Sequence, residues 1–164
     1  FCGVTGHGYN GTSSVKGNSM SQVPSSGIGL RILSLVMGVF LCLMGVNKLA
    51  WITDSDILVS QLLQWRDLTS GSSLWYLETI ALPGAAVFAR LVPVAEICAG
   101  LALFVGFRVR LIALLTLAMI FNFHFASGVI FNMSYLTNGY GPPVVGSLLA
   151  LGVGGRRLAW SVTS

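Results

Sequence analysis

Six polar side chains interrupt long apolar stretches of this sequence, and their types suit hydrogen bonding and proton transfer. They are Asn47, Lys48, Arg90, Glu96, Asn122 and His124. Polar groups of this kind are costly in hydrocarbon, by about 2.5–3.5 kcal/mol for a charge at the centre of a membrane helix, so they persist mainly where they are paired or functional. We therefore take Glu96 and Lys48 as candidate catalytic groups, and Arg90, His124, Asn122 and Asn47 as candidate cofactor-binding groups.

The stretches that carry these residues are long enough to be transmembrane helices, each of which needs about 20 mostly apolar residues. The sequence predicts four helices, at residues 30–51, 85–107, 109–130 and 141–153. The fourth is short, so we expect it either to extend to Trp160 or to tilt little in a thin membrane. Only 9% of the residues are charged, against about a quarter in soluble domains. These features predict an all-α integral membrane four-helix bundle.

A longer polar segment, residues 52–83, separates the first two spans and is predicted to contain one further helix. Thr53 or Asp54 could cap this helix, and the serine-rich stretch Ser70–Ser73 would end it. Apolar and polar side chains separate into faces over Ile57, Leu58, Gln61, Leu62 and Trp65. We therefore expect an amphipathic helix on the membrane surface, in the first extracytoplasmic loop.

The basic residues that flank the spans, other than Arg66 in the first long loop, fall on one side of the predicted membrane. They are Lys16, Arg31, Arg108, Arg110, Arg156 and Arg157. The first long loop is acidic instead, and cytoplasmic loops are the ones that carry an excess of Lys and Arg. This distribution predicts a multi-pass protein of the bacterial inner membrane with both termini in the cytoplasm.

The remaining segments are predicted to lie outside the bundle. Residues 1–26 are rich in Gly, Ser, Asn and Thr and contain no apolar run, so we expect them to be disordered. Met20 is a candidate natural start, which would leave residues 1–19 outside the natural protein. The transmembrane domain is then residues 27–160, and residues 161–164 form a tail.

The six polar residues are predicted to share the outer half of the membrane. At about 1.5 Å per residue, Glu96 and Asn122 lie roughly 18 Å from the cytoplasmic arginines, His124 about 21 Å, and the others some 24–27 Å. One interpretation is a polar pocket with Glu96 buried beside Lys48 or Arg90. The other is a set of ion pairs that hold the helices together, with the two cations extending to the headgroups.

Small residues at four-residue spacing predict where the helices pack closely. They are Gly38 with Cys42, Ala95 with Ala99, and Gly146 with Ala150 and Gly154. The three cysteines have no metal-ligand spacing, and His124 has no second histidine near it, so neither a metal nor haem is expected. The basic residues form no stripe, which disfavours nucleic acid as a partner.

Several short motifs follow one another along the chain. They are Arg31, GVNK at Gly45–Lys48, EICAG at Glu96–Gly100, LFVGFRVR at Leu103–Arg110, the NFHFASG stretch, NGYG at Asn138–Gly141, and a Gly-Arg tail at Gly154–Arg157. In this order and spacing they resemble the DoxX/DoxD-like superfamily of small four-helix membrane proteins. The resemblance covers about residues 28–160, and the longer first loop is more similar to the DoxD side.

The resemblance implies that the protein takes part in redox chemistry in the membrane. DoxD-type proteins look like membrane subunits of thiosulfate:quinone oxidoreductase, and DoxX-type relatives are associated with thiol-stress and oxidase complexes. Carried over by position, Lys48 and Glu96 would be the polar pair of the bundle, and Arg31 and Arg108 its cytoplasmic edge.

The function predicted from these features is that of a redox-associated membrane subunit that binds a quinone in the outer-half pocket. Lys48, Arg90 and His124 could donate hydrogen bonds to the headgroup, and Glu96 could transfer protons. Electrons would come from a substrate or from a partner redox subunit. The alternative is a structural or assembly subunit of a larger membrane complex, without catalytic activity of its own.

Overall fold

The computed structural model describes residues 25–155, and every regular element in that range is helical. The elements in chain order are α1 Ser25–Asn47, α2 Ala50–Thr53, α3 Asp56–Leu68, α4 Gly71–Tyr76, a π-helical turn Leu77–Ala81, α5 Ala85–Val105, α6 Val109–Ala126, 3-10 turns Val129–Phe131 and Met133–Thr137, and α7 Pro142–Gly154. The all-α prediction is confirmed. The expectations for residues 1–24 and for residues 156–164 lie outside the described residues.

Three of the helical stretches are long and apolar enough to cross a membrane. They are Gly27–Thr53, Ala85–Val105 and Val109–Ala126, and the 13-residue α7 is a shorter apolar helix. Many of their large apolar side chains face outwards, and Ile32, Leu43 and Leu115 are each more than half exposed. Such a surface suits lipid rather than water. The chain is therefore a membrane helical bundle, as predicted.

Two of the predicted span ends differ from the structure, and a glycine with positive φ explains each. At the end of α5, Gly106 has φ 85° and its N–H binds the carbonyl of Ala102, which ends the helix before Phe107. The third span was predicted to run to residue 130, but α6 ends at Ala126. Gly128, with φ 67°, turns the chain there, so this prediction was wrong at its end.

The helix pair α1–α5 makes the most extensive contact in the bundle, and glycines allow it. A Cβ on Gly38 would lie 2.8 Å from the carbonyl oxygen of Gly100, and one on Gly100 would lie 2.6 Å from Cys42 Sγ. The two backbones thus nearly touch, which confirms the predicted packing role of Gly38 and Cys42.

The predicted packing through Gly146 is wrong. A Cβ at Gly146 would meet no atom within 4 Å, and both Gly146 and Ala150 are exposed. The helix α7 approaches its neighbours instead through Gly152, where a Cβ would lie 2.8 Å from Leu114 of α6, and through the predicted Gly154, where one would lie 2.7 Å from Leu30 of α1. Four-residue spacing alone did not reveal which face of the helix is covered.

Buried apolar side chains form two separate clusters. The first joins α1, α5, α6 and α7, and we call it the bundle cluster; it contains Met37, Leu41, Leu103, Val109, Ala113, Leu117, Val144, Leu148 and Leu151. The second joins α2, α3 and the π-helical turn to α5 and the end of α6, and we call it the loop-side cluster; it contains Trp51, Leu58, Leu62, Leu77, Ala81, Ala85, Ala89, Val92 and Ala126.

The helix α3 confirms the predicted amphipathic helix in the first loop. The N–H of Asp56, its first residue, donates to Asp54 Oδ1 at 3.0 Å, so Asp54 rather than Thr53 supports its start. Leu58 and Leu62 are buried in the loop-side cluster. Its apolar face is thus covered by the bundle itself rather than left for the membrane surface.

Arginines bind backbone carbonyls at the end of the bundle that lies away from α3. Arg31 Nη2 donates to the carbonyl oxygen of Phe104 at 2.9 Å, and Arg110 Nε donates to that of Gly152 at 2.9 Å. These bonds tie α1 to α5 and α6 to α7. Arg108, with φ 39°, lies in the tight turn between α5 and α6 at the same end.

Candidate functional site

An ion pair between Lys48 and Glu96 lies at the contact of α1 with α5. Lys48 follows the last residue of α1, and its Nζ donates to Glu96 Oε1 in the middle of α5. The lysine side chain is 16% exposed and the glutamate side chain 5%. The partner of the buried carboxylate is therefore Lys48 and not Arg90.

A close backbone approach places these two side chains beside each other. A Cβ at Gly45 would lie 2.9 Å from the carbonyl oxygen of Pro93, so the helices are in contact one turn before Glu96. The chain then turns, because Lys48 N–H binds the carbonyl of Gly45 at 3.1 Å. This turn ends α1 and directs the lysine across α5.

Aromatic rings complete the surroundings of the lysine. Its Nζ lies 5.7 Å from the ring centroid of Trp51 and 5.5 Å from that of Phe123, both within the distance at which a cation is attracted to a ring face. Lys48 is therefore held by one carboxylate and two rings from three different elements.

The second oxygen of Glu96 has no hydrogen-bond partner. Oε2 is buried, and no donor of the described residues reaches it. A buried, unsatisfied polar atom costs about 1–3 kcal/mol, and more when the group is charged. Among the described residues, the carboxylate is therefore paired with a donor through one of its two oxygens.

Lys48 and Glu96 form part of the wall of a cavity of about 200 Å³. The lining residues are Phe40, Leu41, Met44, Lys48, Trp51, Gln61, Trp65, Glu96, Ile120, Phe123, Tyr140 and Val144. They come from both apolar clusters, so the cavity lies where the bundle meets the loop region. An apolar space with a few convergent polar groups is the usual form of a small-molecule site.

The other four predicted site residues do not line this cavity. Arg90 is exposed, and its Nη1 donates to the carbonyl of Ala86 on its own helix at 3.3 Å. Asn47 is exposed at the end of α1. The structure therefore gathers two of the six predicted residues at the cavity.

Asn122 and His124 instead hold the loops to α6. Asn122 Nδ2 donates to the hydroxyl of Tyr76 at 2.6 Å, and His124 Nδ1 lies 3.1 Å from the hydroxyl of Tyr135. A separate, narrow cavity of about 30 Å³ beside Asn122 is lined mainly by the loop-side cluster. Both polar groups have partners, so their geometry is that of loop attachment.

The aromatic lining was missed from the sequence. Trp51 lies three residues after Lys48 within the predicted first span, and Gln61 and Trp65 lie four residues apart on α3, so the sequence puts each pair on one helical face. These spacings were a usable signal. Tyr140 also lines the cavity, with its ring 6.2 Å from that of Phe40. It lies in a loop far along the chain, so no local sequence pattern predicts its position there.

The arrangement suits hydrogen bonding to a flat, mostly apolar molecule. Lys48 supplies N–H donors, Glu96 an acceptor, and Gln61 an amide with both, while the rings supply stacking surfaces. Within residues 25–155, no three His, Cys, Asp or Glu side chains are grouped closely enough to hold a metal ion.

Together, the apolar helices and the buried ion pair define a polytopic membrane protein with a polar site inside its bundle. The DoxX family model matches residues 29–128, which include α5, α6, all but the first turn of α1, and both members of the pair. The chain belongs to the DoxX family. Comparison with curated proteins and with solved structures gave no match.

Proposed function

We propose that the chain is a redox-associated membrane subunit that binds the headgroup of a quinone in the cavity beside Lys48 and Glu96. The observation that carries this proposal is the half-satisfied, buried ion pair in the wall of an aromatic, apolar cavity. The DoxX family match supports membrane redox work in general, and we propose that this work is of the DoxD type, similar to that of thiosulfate:quinone oxidoreductase.

The size and lining of the cavity fit such a headgroup. About 200 Å³ is less than the roughly 300–1,000 Å³ of sites for drug-sized ligands, so the space suits one ring, and an isoprenoid tail would remain in the lipid. Trp51, Trp65 and Phe123 offer ring surfaces against which a flat ring packs favourably. Both the volume and the aromatic lining of the cavity therefore suit a quinone ring.

Each polar residue has a distinct task in this proposal. Lys48 orients a ring oxygen through an N–H that Glu96 leaves unused, and Gln61 binds the ring from the α3 side. Glu96, one wall of the cavity, holds or accepts the proton that accompanies quinone chemistry. A bound quinone supplies the electron-carrying group, and a partner redox subunit or a substrate supplies or removes the electrons.

Purification from native membranes in mild detergent tests the proposal most directly. We expect mass spectrometry to find stoichiometric quinone and a redox subunit with the chain. A Lys48→Met and Glu96→Leu double variant, which replaces the ion pair by apolar side chains of similar volume, should lose the quinone. Recovery of the wild-type chain with a non-redox assembly and no quinone would favour the alternative, a structural or assembly subunit.

We also propose the orientation and location of the protein. The end that carries Arg31, Arg108 and Arg110 would face the cytoplasm of a bacterial cell, in line with the positive-inside rule. The cavity, close to α3 at the other end, would then lie in the outer half of the inner membrane. A quinone pool dissolved in the bilayer could reach it there.

A further inference from the structure

We propose that the protein binds one anionic phospholipid, with its phosphate at the arginine end of the bundle and one acyl chain in a groove between α5 and α6. The arginine end is the surface around Arg31, Arg108 and Arg110. The groove shares no lining residue with the cavity beside Lys48 and Glu96, so this lipid site is independent of the proposed function.

The groove between α5 and α6 has a volume of about 220 Å³ and a mostly apolar lining. On α5 it is lined by the small side chains of Ala95, Cys98 and Ala99, opposite larger side chains of α6 such as Leu115. Ala95, Cys98 and Leu115 are exposed, so the groove opens towards lipid. Thr116, in the same lining, is only 2% exposed, so an occupant meets apolar surface.

The depth of the groove matches one leaflet of a bilayer. Its α6 side extends from Ile112 to Met119, four to eleven residues after Arg108. At about 1.5 Å per residue, the groove therefore lies roughly 6–16 Å from Arg108 along the helix axis. The hydrocarbon core of a bilayer is about 30 Å thick, so each leaflet contributes about 15 Å. With Arg108 at headgroup level, the groove lies at the depth of the acyl chains of that leaflet.

Arg108 connects the groove with the headgroup region. It is the N-cap of α6, and its carbonyl accepts a hydrogen bond from the N–H of Ile112 at 3.1 Å, so it lies one turn before the first groove residue of α6. Arg108 is exposed, and its neighbours along the chain include the exposed apolar side chains of Val105, Phe107 and Leu111. A cation among exposed apolar side chains suits a phospholipid, which presents phosphate and hydrocarbon together, better than it suits a soluble anion.

The charge of the arginine end is complementary to an anionic headgroup. The acidic residues of the chain are Asp54, Asp56, Asp67, Glu78 and Glu96. The first four belong to the loop region at the other end of the bundle, and Glu96 is paired with Lys48. Arg31 and Arg110 donate to backbone carbonyls, which carry no net charge. The arginine end is therefore basic, and each basic residue near a membrane surface favours anionic lipid by about fivefold.

Native mass spectrometry of the delipidated full chain tests the headgroup preference. The probes are phosphatidylglycerol and phosphatidylcholine with the same acyl chains, offered in equal amounts. We expect the wild type to retain one phosphatidylglycerol, with a preference of at least about fivefold. Arg108→Gln should lower the preference to less than about twofold. The control Arg90→Gln, at an exposed position near the other end of α5, should leave it unchanged.

A second pair of variants tests the groove. Ala95→Leu places a larger side chain there without a change in charge, so both lipids should be retained less while the preference for phosphatidylglycerol stays the same. The control Ala118→Leu, at an exposed position of α6 outside the lining, should retain lipid as the wild type does. Phosphatidylglycerol with a diazirine in its acyl chain requires no variant, and it should cross-link the wild type at groove residues such as Cys98 and Met119.

Equal retention of the two lipids by the wild type, or cross-links confined to α1 or α7, would overturn the inference. A lipid-free dimer would also overturn it, because a second copy of the chain would then cover the groove. Glycerophosphoglycerol, the headgroup without acyl chains, should compete only weakly with the lipid. Competition as strong as that of the whole lipid would indicate a site for soluble anions and would contradict the role of the groove. The quinone content of the protein is measured separately, so failure of the lipid site leaves the proposed function in place.

Discussion

The sequence identified Lys48 and Glu96 as candidate site residues but did not decide which cation pairs with Glu96. An ionisable group in an apolar helix demands a partner, and that argument identified both side chains. It left open whether Glu96 pairs with Lys48 or with Arg90. Helix geometry favours the first, because six residues at about 100° each place Arg90 and Glu96 about 120° apart around α5.

Removal of one member of the pair is expected to destabilise the bundle more than removal of both. The variant Lys48→Met leaves Glu96 buried without a cation, at a cost of about 3–5 kcal/mol in the free energy of unfolding. The double variant Lys48→Met and Glu96→Leu should unfold within about 1 kcal/mol of wild type or be more stable. Denaturant titration in detergent, followed by tryptophan fluorescence, measures both. A single variant as stable as the double variant would contradict a buried, interacting pair.

Two glutamines on α3 offer a comparison of residues of the same type. Gln61 lines the cavity, whereas Gln64 is exposed and does not. The exchange Gln61→Ala should weaken quinone binding roughly two- to tenfold, the value of one neutral hydrogen bond, and Gln64→Ala should not change it. Calorimetric titration of the reconstituted protein distinguishes them, and equal effects would place the ligand elsewhere.

The elements themselves were largely predictable, because an apolar run of membrane length leaves little alternative to a helix. The short α3 was also predicted, but its N-cap is Ser55 rather than Thr53 or Asp54, and Asp54 only accepts a hydrogen bond from the N–H of Asp56. The ends of the spans and the covered face of each helix were not predictable. Both depend on tertiary contacts, as the outward-facing Gly146 and the inward-facing Gly152 show.

The contact of α1 with α5 is expected to be sensitive to a single methyl group. A Cβ at Gly100 would lie 2.7 Å from the carbonyl oxygen of Gly38, and backbone cannot yield as a flexible side chain can. We expect Gly100→Ala to lower the free energy of unfolding by about 1–3 kcal/mol.

The matched control for this contact is Gly146→Ala, in open space on α7. Alanine is favoured over glycine within a helix by about 1 kcal/mol, so this variant should be as stable as wild type or slightly more so. Thermal denaturation of both variants in the same detergent compares them. Similar losses at the two positions would contradict the close packing of α1 on α5.

At the scale of the whole molecule, the two ends of the bundle differ in charge and in structure. Arginines bind the helix ends on one side, and the loop-side cluster with the cavity lies towards the other. The distribution of basic residues along the chain predicted this separation. It did not predict that residues 56–81 would fold into successive helical segments against α5, since that depends on contacts between distant parts of the chain.

Labelling of introduced cysteines tests the proposed orientation. In a background with Cys2, Cys42 and Cys98 replaced by alanine, the exposed positions Ser72 of α4 and Phe107 of the α5–α6 turn mark opposite ends. A membrane-impermeant maleimide should react with Ser72→Cys in intact spheroplasts and with Phe107→Cys only after permeabilisation. The opposite pattern would invert the topology, and detergent-solubilised protein serves as the control for reactivity.

The pairing of α1 with α5 also has a consequence for how the protein is made. Lys48 and Glu96 are 48 positions apart, and a ribosome adding about 5–20 residues per second needs about 2–10 s to cover that distance. During this interval the lysine lacks the Glu96 carboxylate, and its long stem allows the ammonium to stay at headgroup level. We expect insertion of α5 then to draw the lysine inwards, so that the arrival of Glu96 completes the packing of a helix synthesised seconds earlier.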